Sequence, residues 1–153
     1  MAAVAGGSSA WTSRAQPRRA PFANDSLVGA YALVGVGGAN EAASVGITRF
    51  DGAGALERTL VLNEAGPAGE RVVLTIPATG SYRVNEDGTG WAVAVNRLPD
   101  GSTAEFTFDF VITRAERHGI AHVPIGLALH MVQREPGLAA KLVRFDLTRL
   151  PDE

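Results

Sequence analysis

The chain has 153 residues, a formal charge of −2 and no cysteine. That length holds one domain, with a core covering about two-thirds of the surface the unfolded chain exposes. The lack of cysteine excludes disulfides, thiolate zinc sites and cysteine nucleophiles, and the interspersed charges build neither a nucleic-acid stripe nor a polybasic membrane face.

Residues 1–26 are rich in Ala, Gly, Ser, Pro and Arg and show no apolar period. They read as a flexible N-terminal arm whose large apolar groups are Trp11 and Phe22. The opening MAAVAGGSSAW lacks a charged start and a long apolar stretch, unlike a secretory signal. Arg18 and Arg19 ahead of LVGAYALVGVGGA imitate a twin-arginine export signal, but Asp25 interrupts it and the apolar stretch reads better as a first strand. The expected location is cytoplasmic, with export as the alternative. No run approaches the ~18 apolar residues of a transmembrane helix.

From Leu27 to about residue 150 the chain reads as one all-β domain. Short runs rich in Val, Leu, Ile, Thr and Phe are punctuated by Gly, Asp and Pro, predicting strands near 28–36, 43–50, 55–62, 71–77, 80–85, 90–97, 103–113, 119–132 and 141–149. EPGLAAKL, ending at Leu142, is the sole helical candidate, and Pro136 and Gly137 make it a loop or a single turn. FDGAGA, NEDGT and LPDGS each suggest a three-residue hairpin turn closing on a left-handed glycine, namely Gly54, Gly88 and Gly101.

Those turns set the register, and the register sets the faces. Ala94 should face Phe106, Ala92 should face Phe108 and Tyr82 should face Ala92, while Arg49 should oppose Glu57. One concave wall then carries Tyr82, Val84, Asn96, Phe106, Phe108 and Phe110, large groups across from small ones. Leu129, Met131, Val143, Phe145 and Leu147 continue the apolar faces. Sequential strands with short connections argue for a single antiparallel up-and-down β-barrel of eight or nine strands, with a β-sandwich as the alternative.

The candidate chemistry lies on that inner wall. Tyr82 and Asn96 are polar groups on an apolar face and could orient or polarise a ligand oxygen. Phe106, Phe108 and Phe110 would form the wall that shapes an apolar ligand. Arg58 shares a face with Thr48, Phe50, Leu56 and Leu60; inside the barrel it would be a buried cation in need of an anion, and outside it would be an ordinary surface arginine. His122 and His130 share a strand face but stand about 26 Å apart, too far to hold one metal, so no metal and no cofactor are expected. There is no nucleophile elbow, no HExxH and no phosphate loop.

GITRFDGAGAL, TGSYRVNEDGTGW and AEFTFDFVIT, followed by MVQREPG and KLVRFDLTRLP, resemble small bacterial barrel proteins of the allene-oxide-cyclase-like, calycin-related type. The resemblance spans about residues 27–150 and rests on turn glycines and core positions. It implies a calycin-like barrel and an activity that shapes a flexible apolar substrate, as cyclases and isomerases of that fold group do. It transfers no catalytic residue to this chain. The leading functional expectation is therefore a cofactor-independent cyclase or isomerase acting on a small apolar metabolite. The alternatives are a lipocalin-like binder and a structural homo-oligomer with a packed lumen.

Overall fold

The computed structural model describes residues 19–37, 42–120, 122–134 and 142–152. A 3-10 turn at Asn24–Ser26 leads into eight strands: β1 (Val28–Gly37), β2 (Ala42–Asp51), β3 (Ala55–Ala65), β4 (Arg71–Val84), β5 (Thr89–Arg97), β6 (Thr103–Glu116), β7 (Ile125–Gln133) and β8 (Val143–Arg149). Each strand pairs antiparallel with the next, and β1 also pairs with β8, so the sheet closes into an up-and-down barrel with no sandwich break. Closure leaves no edge strand in the sheet, although β4 runs past the end of β5 over residues 71–77.

Inner faces follow the period of two. On β5 they carry Gly90, Ala92 and Ala94, each opposite a phenylalanine of β6: Phe110, Phe108 and Phe106. A tightly curved wall has room for a large ring only where its cross-strand partner is small. Tyr82 opposes Ala92, and Arg49 opposes Glu57, as the sequence predicts. The outer surface is mixed; Val34, Val45 and Val61 form an exposed cross-strand row over β1, β2 and β3.

Two of the three predicted turns share one geometry. The amides of Gly88 and Gly101 donate to the carbonyls of Asn85 and Leu98 at 3.0 and 2.9 Å, with φ of 87° and 85°. Asp87 and Asp100 brace these turns by accepting from Thr89 and Ser102. The first turn is built differently. Gly52 and Gly54 both take positive φ, and Asp51 Oδ1 accepts from the amides of Ala53, Gly54 and Ala55.

The predicted strands 71–77 and 80–85 are one strand, β4. Gly80 lies within it, where a Cβ would run into the carbonyl oxygen of Val93. Glycine there lets the neighbouring backbone approach closely without ending the strand. The strand expected from residue 119 starts at Ile125, after Pro124, and a bulge between Ile112 and Ala115 shifts its pairing with β6. Ala121, Trp11 and all of EPGLAAKL but Leu142 lie outside the described residues.

Residues 19–26, which the sequence assigns to the arm, lie across one end of the barrel. Ala20 N donates to Ile120 O at 3.0 Å and Phe22 N to Glu86 O at 3.1 Å. The Phe22 ring sits under the Arg117 guanidinium, 5.2 Å from its carbon to the ring centre. Ser26 and Leu27 are fully buried. This end also holds Tyr31, Phe50 and Tyr82, packed edge to face at 5.2 and 4.9 Å between ring centres. The core is therefore densest where the N-terminal segment plugs the barrel.

Candidate functional site

The opposite end is hollow. A cavity of about 300 Å³ opens there, lined by Leu60 and Leu62 of β3, Leu74 and Ile76 of β4, Phe106 and Phe108 of β6 and Phe145 of β8. Its few polar groups are Ser44, Arg58, Asn96 and Gln133, with Glu64 further along β3 from Arg58. An apolar hollow with a small number of fixed polar groups has the composition of a small-molecule site.

Arg58 forms the deep polar point of this cavity. It is 5% exposed, so its side chain points inward, which answers the question the sequence left open. Strand register explains its company. Thr48, Arg58, Ala78, Asn96 and Ala104 lie in one cross-strand row. Ala78 is small enough for its two neighbours to meet over it, and Arg58 Nη2 donates to Asn96 Oδ1 at 2.8 Å. The guanidinium carbon lies 5.4 Å from the centre of the Phe108 ring and 5.3 Å from that of Phe145, within reach of both π faces.

No carboxylate of the described residues forms a salt bridge with Arg58. Its Nε and the neighbouring Thr48 Oγ1 are buried and have no hydrogen-bond partner. Burial pushes the guanidinium down to about 10, which still leaves it charged at neutral pH. A charge held in an apolar cavity by one amide and two aromatic faces keeps most of its hydrogen-bonding capacity in reserve.

The predicted site divides in two. Asn96, Phe106, Phe108 and Arg58 line the cavity. Tyr82 and Phe110 belong to the plugged end. Tyr82 lies opposite Ala92, four residues from Asn96 along β5, or about 13 Å. Its hydroxyl donates toward the carbonyls of Leu27 and Asn24 at 2.8 and 3.0 Å. Its geometry is that of a tie between the N-terminal segment and the barrel, which corrects the expectation that it stands with Asn96 over a ligand. Phe110 packs its ring against Gly90, deeper than the cavity floor.

Phe145, Leu60 and Gln133 complete the cavity but were absent from the predicted site. Their inward orientation was legible from alternation. Leu60 also shares a strand face with Arg58, so its nearness was legible too; that of Phe145 on β8 and Gln133 on β7 was not, because it comes from closure of the barrel through pairings far apart in sequence. Among the described residues no three metal-ligating side chains gather. His130 lies on the outer surface, its Nδ1 2.5 Å from Asp146 Oδ1, and His118 stands 3.7 Å from Glu116. No helix of the described residues is long and apolar enough to cross a membrane.

Neither a family model, nor a curated protein, nor a solved structure matches this chain.

Proposed function

We propose that this barrel takes a small apolar molecule into its lumen at the end opposite the N-terminal segment. The observation that carries this reading is the cavity: about 300 Å³, walled by leucine, isoleucine and phenylalanine, and backed by a plugged end. A structural barrel gains stability from filling such a volume with side chains, because unfilled apolar space forfeits packing contacts. A retained hollow with polar groups at its floor is the arrangement of a ligand site.

A second reading, the cofactor-independent cyclase or isomerase of the allene-oxide-cyclase-like resemblance, draws support from the floor. Arg58 and Asn96 converge at one point, where they would polarise a ligand oxygen while Phe106, Phe108 and Phe145 confine the carbon chain. The two readings separate on turnover. A bound molecule recovered unchanged supports the binder, and recovery of an isomer supports the enzyme.

Prodan, an uncharged naphthalene dye, tests the lumen itself. The expected result is saturable binding with a blue-shifted emission, abolished by Leu60→Trp, which fills the middle of the cavity. No binding to the parent protein, or undiminished binding to Leu60→Trp, would overturn the proposal.

A further inference from the structure

Resting on the lumen reading above, the geometry points to a ligand that carries one anionic oxygen group and enters with that group leading, to be held at the floor of the barrel by Arg58. The shared chemistry is a charge spread over two oxygens, as in a carboxylate or an ionised β-diketone.

The argument starts from what Arg58 lacks. A guanidinium has five N–H donors. Here one hydrogen bond is made, to Asn96. Nε–H is buried and unpartnered, as is the Thr48 hydroxyl beside it in the cross-strand row. Buried arginines ordinarily face a carboxylate; none of the described residues supplies one to Arg58. Phe108 and Phe145 flank the group at 5.4 and 5.3 Å, which restricts where the planar fork can turn. A fork held in this way is suited to a two-oxygen anion, which takes two parallel N–H bonds.

The position fixes the orientation. Arg58 lies toward the plugged end of β3, and Glu64 lies six residues along the same face toward the mouth. An anionic group is attracted at the floor by Arg58, while the leucines and isoleucine between there and the mouth suit a hydrocarbon tail. A ligand with its charge trailing at the mouth would leave Arg58 uncompensated.

Displacement of prodan by decanoate, decan-1-ol, methyl decanoate and an alkyl β-diketone provides the test. Decanoate, the β-diketone near its own pKa, or both should compete roughly tenfold to a hundredfold better than the alcohol and the ester. Preference for one of the two anions identifies the source of the charge. In Arg58→Met, which keeps the length of the stem, prodan should still bind and the anion preference should vanish; Arg58→Lys should restore part of it. If prodan binds the parent while anions compete no better than the alcohol and ester, the head-group assignment fails and the lumen reading stands. If prodan does not bind the parent, both fail. Should Arg58→Met not fold, the competition series on the parent and on Arg58→Lys decides alone.

Discussion

Arg58 and Asn96 reach each other over Ala78, the residue between them in the row that crosses β3, β4 and β5, at 2.8 Å from Nη2 to Oδ1. The contact depends on a side chain that is nearly absent. A valine at position 78 would stand between the guanidinium and the amide, and the floor of the cavity would lose its polar point. The same row places Thr48 on the other side of Arg58, so three polar groups share one level of an otherwise apolar interior.

Tyr82 separates structure from function. Its hydroxyl ties two carbonyls of the N-terminal segment. We expect Tyr82→Phe to cost about 1–3 kcal/mol, because those buried acceptors lose their donor, with prodan affinity changed less than twofold. Asn24→Ala should behave alike, since Asn24 Oδ1 accepts from Val84 N at 2.9 Å. Urea unfolding alongside dye titration checks both. Unchanged stability with lost affinity would return Tyr82 to the site.

Phe106 and Phe110 stand four residues apart on one face of β6 yet belong to different regimes. Phe110 is packed in the plugged half, and Phe110→Ala should cost about 3–5 kcal/mol as a core deletion. Phe106 is only partly buried and lines the cavity. Phe106→Ala should cost less than about half as much and weaken dye binding instead. Equal stability losses for the two would mean that the hollow end is as tightly packed as the plugged end.

Gly88 closes the β4–β5 turn at φ 87°, and a Cβ there would also sit 3.2 Å from the Phe22 ring. Gly88→Val should destabilise the domain by more than ~1 kcal/mol, because a β-branched residue resists positive φ. Gly101 has the same φ but nothing within 4 Å of such a Cβ. Gly101→Val should therefore be the milder change, and thermal melts of the two variants measure the contribution of the Phe22 contact.

The chain's two tyrosines both sit at the plugged end, where burial pushes their phenols up to about 12 from 10.0. The folded state thus holds its phenolic protons more tightly than the unfolded state. Their contribution to stability is complete below pH 10 and is lost as pH rises toward 12. Phenolate absorbance should therefore appear near pH 12 while the fold persists, and near pH 10 only in unfolded protein. A reversible rise near pH 10 in a protein still folded by circular dichroism would contradict the burial of Tyr31 and Tyr82.

How much of this was readable beforehand depended on what joins two strands. Gly88 and Gly101 fix short turns, so the faces of β4, β5 and β6 and the pairs Ala92–Phe108 and Ala94–Phe106 followed directly. Alternation assigns a side chain to a face but not to a depth, so Tyr82 and Asn96 looked like companions although they occupy opposite ends. Arg58 could not be placed because β3 and β4 are joined by a longer connection, and because burying an unpaired cation opposes the usual partition of charge. The plug escaped notice because it is held largely by main-chain groups, such as the carbonyls of Asn24 and Leu27, which composition does not reveal.

Among the described residues, the N-terminal segment turns the barrel from a tube into a cup. On the reading proposed above, a guest that reached Arg58 would leave the way it came, and a second molecule would wait for the first. From Arg58 to Glu64 is six residues, about 20 Å along the strand and about 15 Å of depth once strand tilt is included. On that reading, a guest anchored at the floor and longer than that depth would leave the end of its tail outside the barrel.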